Sequence, residues 1–176
     1  MVISDFKGNL LNKKIITQEQ AQQLFCNIDE IRQLNELFFA NIFSQAEQYS
    51  HHKIIFAKVE KEIPFFKIYF EYFNNYSKAN ALVDSLTQHN AEFKMFLTET
   101  RANPKYHLLT LKDFLIKPVQ RLPKYVLLMR EIKKLTPPEH PDLQNIEKVL
   151  STFEQVNHSN NNKLNQVLNI HKVNEI

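Results

Sequence analysis

Residues 111–131, LKDFLIKPVQRLPKYVLLMRE, decide how this chain is read. Apolar residues recur here at steps of three and four: Leu111, Phe114, Leu115, Val119, Leu122, Tyr125, Leu128, Met129 and, just beyond, Ile132 and Leu135. That spacing marks one face of an α-helix. Thr110 with Asp113 three residues later opens it by capping logic, and Thr136-Pro137-Pro138 closes it. Pro118 and Pro123 fall inside the pattern. Each removes an N–H and crowds the carbonyl four residues back, costing about 3 kcal/mol in a regular helix. Because the stripe runs through both, the reading keeps one helix and expects a bend. Lys117, Gln120, Arg121 and Lys124 lie opposite the apolar face. Such a stripe is either a docking surface for an acidic or phosphate-bearing partner or a plain solvated face.

The same periodicity extends outward in both directions. Downstream, His140-Pro141-Asp142 starts a last helix carrying Leu143, Ile146, Val149, Leu150, Phe153, Val156, Leu164 and Val167, with a tail at 173–176. Upstream, Thr17 with Gln20 reads as a capping box, followed by a single helical face from Ala21 to Ile42, about seven turns long. The stripe loses phase near His51-His52, and a second helical stretch runs to about Glu62. Pro64 starts or kinks the next helix, whose stripe runs Phe65, Ile68, Tyr69, Tyr72, Phe73, Tyr76, Ala79, Leu82 and Leu86. A shorter segment with Phe93, Phe96 and Leu97 ends at Asn103-Pro104. Residues 1–15 show little periodicity and are expected to be irregular. The sum is an all-α, elongated bundle of five to six long helices.

Composition excludes several functions. One glycine, Gly8, in 176 residues leaves no dinucleotide fingerprint, phosphate-binding loop or nucleophile elbow. A formal charge of +3 is too mild for a nucleic-acid partner. The lone Cys26 allows neither an internal disulfide nor a cysteine-rich metal site. No apolar signal core opens the chain, and the aromatic stretch 54–73 holds too many charges to span a membrane. These features fit a cytoplasmic protein.

No catalytic constellation emerges. His51 and His52 are adjacent and diverge on a helix, so no metal or other cofactor is expected. Cys26 beside Phe25 reads as a buried structural thiol rather than a nucleophile. Glu154 and His158 stand one turn apart as a surface pair. The Phe/Tyr stripe at 65–76 reads as core rather than a ligand cage, and Asn160-Asn161-Asn162 as a solvated face or coding bias.

The motif carries more. Residues 115–125, LIKPVQRLPKY, followed by Leu127-Leu128-Met129-Arg130-Glu131, His140-Pro141-Asp142 and Val156-Asn157, resemble the third conserved region of the Dbl homology (DH) domain. That family comprises guanine-nucleotide exchange factors for Rho-class small GTPases. Residues 65–86 resemble its second conserved region, and residues 16–42, with Leu24-Phe25-Cys26-Asn27-Ile28, the helix joining the first two regions. The similarity covers about residues 16–172 and implies an elongated helical bundle.

By that resemblance, Lys124 and Asn157 contact switch II of a Rho/Rac-class GTPase, and Gln120 and Leu127 complete the docking face. Arg121 belongs to the motif as an interface residue or as one packing against an acidic neighbour. The family's first conserved region carries a Thr-Glu pair whose glutamate reaches switch I. Residues 1–15 lack that pair, and the lone Asp5 does not replace it. His158 stands where an acidic residue is usual, and no pleckstrin-type module is expected after the bundle within these 176 residues. The implied function is nucleotide exchange on a Rho/Rac-class GTPase. The alternatives are an exchange-inactive GTPase-docking or scaffold module and a purely structural bundle.

Overall fold

The computed structural model describes the backbone of residues 2–47 and 54–173 and the side chains of 6–47 and 54–159. It is all-α. Eight α-helices run α1 (Val2–Asn12), α2 (Gln18–Phe25), α3 (Ile28–Glu47), α4 (Phe56–Val59), α5 (Tyr69–His89), α6 (Ala91–Ala102), α7 (Leu111–Leu135) and α8 (Leu143–Val173) among the described residues. Short 3-10 turns at Ile63–Ile68 and Pro104–Tyr106 link α4 to α5 and α6 to α7. The sites at His51-His52 and 174–176 lie outside the described residues.

Local capping sets several of these boundaries. Thr17 Oγ1 accepts the Gln20 N–H at 3.1 Å while Gln20 Oε1 accepts the Thr17 N–H at 2.9 Å, the reciprocal box expected for α2. Thr110 and Asp113 repeat it at the start of α7. Asn90 caps α6 by accepting the Phe93 N–H, and its amide donates to the Ile15 carbonyl. Asp142, only 2% exposed, accepts the N–H groups of Ile55 and Phe56 at 2.7 and 2.9 Å. One buried carboxylate thus ties the start of α4 to the start of α8.

Three expectations are corrected. First, residues 2–12 form a helix rather than an irregular segment. Phe6 and Leu10, one turn apart, are almost fully buried, with Phe6 packed on Phe96, Tyr106 and Phe114 at 5.6–6.1 Å. That packing outweighs the helix-weakening effect of Gly8, which faces open space. Second, the face from Ala21 to Ile42 belongs to two helices. Cys26 (φ 48°, ψ −134°) breaks it in a conformation that suits glycine. Asn27 secures the break by donating to the Ile68 carbonyl at 2.9 Å. Third, among the described residues the stretch expected to run helically to Glu62 holds only the single turn of α4, before Pro64 enters the 3-10 turn.

The core gathers on aromatic rings. Phe66 meets Phe38 of α3 at 5.0 Å and Phe153 of α8 at 5.1 Å, edge-to-face, and Tyr125 of α7 stacks on Phe153 at 5.3 Å. Edge-to-face and offset-stacked rings gain beyond area burial. The 65–76 stripe packs inward as expected through Phe66, Tyr69, Tyr72 and Phe73, while Phe65 is 62% exposed. Among the described residues no helix is long and apolar enough to cross a membrane.

Candidate functional site

The helix α7 runs through both prolines. Leu111, Leu115, Leu122, Val126 and Met129 bury its inner face, and the Tyr72 hydroxyl donates to the Leu115 carbonyl at 2.8 Å, one turn before Pro118. The outer face presents Gln120, Lys124 and Leu127 at offsets of four and three, all exposed. Leu127 is 59% exposed, an apolar side chain standing in water beside an ammonium group.

Asn157 comes to this level from α8. Arg130 bonds Glu154 and Lys133 bonds Glu147, so the two helices run antiparallel. One turn on from the Arg130–Glu154 link, Asn157 falls level with Lys124 to Leu127. It lines an open cavity of about 520 Å³ with Val126, Arg130, Glu154, Gln155 and His158. Asn157 is half-buried, and its Oδ1, like those of Asn27 and Asn80, is shielded from solvent without a hydrogen-bond partner among the described residues. Leaving such an acceptor unpaired costs about 1–3 kcal/mol.

Arg121 takes a different part. Instead of an acidic neighbour it has Tyr125: its Cζ lies 4.9 Å from the ring centroid and its Nε donates to the hydroxyl at 2.9 Å. Tyr125 in turn donates to Asn35 Oδ1 at 2.6 Å, and Asn35 donates to the Tyr69 hydroxyl at 2.7 Å and the Ile31 carbonyl. Burial pushes the Tyr69 phenol above its ordinary range, so it stays a neutral member of this chain. The Gln120–Lys124–Leu127 stripe is therefore bordered by Arg121 on the α3 side and by Val126 and Arg130 on the α8 side.

Of the five candidate residues, four stand exposed along the middle of α7, with Arg121 turned toward α3, and Asn157 is recessed in the middle of α8. Sequence reasoning missed Asn35, Tyr125 as a polar link, and the pairing of Glu154. Glu154 bonds Arg130, 24 residues away, and no local pattern announces such a link. Cys26 is buried, and that burial, with Glu71 nearby, pushes its thiol up, as suits a structural side chain.

A family model described as the RhoGEF domain matches residues 1–161. The chain belongs to the RhoGEF domain family. The match takes in α1. Among curated relatives, Rac guanine nucleotide exchange factor JJ of Dictyostelium discoideum is 32% identical over 165 residues, 93% of this chain and 14% of that protein. The human FYVE, RhoGEF and PH domain-containing protein 2 is 29% identical over 151 residues, 85% of this chain and 23% of that protein. The chain therefore spans less than a quarter of these relatives' lengths. The DH/PH fragment of PDZRHOGEF, crystallised with human RhoA, superposes with a TM-score of 0.83 at 20% identity, covering 98% of this chain and 51% of that one. At that identity the likeness concerns the RhoGEF-domain fold.

Proposed function

We propose that this RhoGEF domain is a guanine-nucleotide exchange module for a Rho/Rac-class small GTPase. The observation that carries the reading is the exposed stripe Gln120–Lys124–Leu127 on α7, which the register of the Arg130–Glu154 and Lys133–Glu147 links sets level with the recessed Asn157 of α8. The names of its relatives, one a Rac exchange factor and one crystallised with RhoA, support the choice of partner. No covalent step is needed. A GTPase holds GDP through phosphate contacts, Mg²⁺ and switch loops whose order follows the nucleotide. A factor that binds the nucleotide-free form more tightly than the GDP form weakens GDP binding by the same factor. Each tenfold requires about 1.4 kcal/mol of differential binding.

In this reading Lys124 and the Asn157 carboxamide hold switch II in a conformation incompatible with Mg²⁺. Leu127 and Gln120 complete the docking face, and Arg121, fixed on Tyr125, sets its edge. A partner of this class places the module in the cytoplasm. One observation favours a second reading: residues 2–12 of α1 carry no glutamate, the residue type by which the family reaches switch I. A domain that docks a GTPase without opening its nucleotide site would then result. The test is release of fluorescent GDP from a panel of Rho-class GTPases on addition of the 176-residue chain. Acceleration on at least one member supports exchange; complex formation without acceleration supports docking alone; neither overturns both.

A further inference from the structure

The Arg121 side of α7 faces a groove that the docking stripe does not use. It is a cleft of about 290 Å³ between α3 and α7. Its floor is apolar, with Ile28, Ile31, Tyr69, Phe114 and Pro118. Its rim carries three cations, Arg32, Lys117 and Arg121, and no carboxylate lines it among the described residues. Lys117 and Arg121 enter no ion pair among the described residues. Arg32 reaches only Glu36 on its own helix, at 3.6 Å with both ends exposed, a pair of little net worth.

At one end of the groove α1 touches both walls: Phe6 packs on Phe114 at 5.7 Å, and Lys7 bonds Asp29 at 2.6 Å. Phe114 and Ile28 are also where the groove begins. At the far end Asn35 of α3 is bonded to Tyr125 of α7, so the walls stay together over about two helical turns. The hydrogen-bonded chain Arg121–Tyr125–Asn35–Tyr69 fixes this end.

The geometry points to a docking site for an acidic amphipathic helix of a separate partner. Its apolar residues at i, i+3 and i+7 would lie on the floor, and aspartates or glutamates on its flanks would meet the three cations. A second copy of this chain is a poor occupant, since its formal charge of +3 brings more cations to a cationic rim. The site goes beyond the exchange reading and does not depend on it.

The test uses a fluorescein-labelled helical peptide of about 16 residues, with leucines at that spacing and glutamates flanking them. Its twin carries lysines in place of the glutamates. The expected result is saturable binding by fluorescence anisotropy, weakened at least tenfold by the lysine twin and by the pair Arg32→Glu with Lys117→Glu. Circular dichroism checks that these two exposed substitutions leave the helices intact. Absence of saturable binding overturns the proposal. So does binding indifferent to either charge reversal, which would mark a merely apolar surface, or self-association of the chain in sedimentation that occupies the groove instead. GDP release measured without peptide reports on the exchange reading alone, so the two can fail separately.

Discussion

Tyr125 on α7 donates a 2.6 Å hydrogen bond to the carboxamide oxygen of Asn35 on α3, and through it the helix that presents the docking stripe is anchored to the bundle. The same phenol accepts from Arg121 and its ring packs on Phe38, Phe66 and Phe153. Tyr125→Phe keeps the ring packing and removes only the hydroxyl. Asn35 Oδ1 is then left without its donor in a partly buried place, so unfolding should cost about 1–3 kcal/mol less than in the parent. Urea denaturation at constant m measures this, and an unchanged midpoint would mean that the polar chain does not stabilise α7.

The Arg130–Glu154 link sets the register of α7 against α8, with two donors on one carboxylate oxygen at 2.6 and 3.0 Å. Both side chains are well exposed, so solvent screening holds the stability loss in Arg130→Ala or Glu154→Ala to about 1 kcal/mol or less. The effect on exchange should be larger than this suggests, because Asn157 lies one turn away in the same cavity. GDP release is expected to slow several-fold in either variant and to recover in the swapped pair Arg130→Glu with Glu154→Arg. Equal release in all four proteins would show that the register does not govern the site.

Cys26 occupies a conformation that suits glycine, with φ at 48°. Cys26→Gly relieves backbone strain of about 1–3 kcal/mol, partly offset by losing a small buried side chain. A net gain of up to about 1 kcal/mol is expected. Cys26→Val, β-branched at the same backbone angles, should destabilise by more than 1 kcal/mol, roughly the scale of such strain. Thermal unfolding of the two variants side by side decides the matter: the opposite order would locate the strain elsewhere.

What could be read from the residues alone follows physical range. The boxes at Thr17 and Thr110 were legible because each joins a side chain to backbone three residues away. The exposed stripe of α7 was legible because helical spacing puts Lys117, Gln120, Arg121 and Lys124 opposite the apolar face, whereas Leu127 came only from the motif's resemblance. The break at Cys26 was not, since Leu24, Phe25, Ile28 and Ile31 continue the apolar rhythm across it and only the backbone turns. Helix α1 escaped notice for a different reason: Phe6 gains its stability from Phe96, Tyr106 and Phe114, some 90 residues and more away. Arg121 and Tyr125 stand at i, i+4, a spacing open to stacking, yet composition alone does not choose between a phenol and a carboxylate. The level at which Asn157 meets Lys124 depends on the α7–α8 register, a property of packing.

The most direct measurement is GDP release from a responsive Rho-class GTPase driven by the parent chain and by the double variant Lys124→Ala with Asn157→Ala, each checked for helicity. If an ammonium and a carboxamide on neighbouring helices together distort the nucleotide site, the double variant should accelerate release at least tenfold less, a loss of about 1.4 kcal/mol or more in transition-state stabilisation. Full acceleration by a folded double variant would contradict the assignment of these two groups.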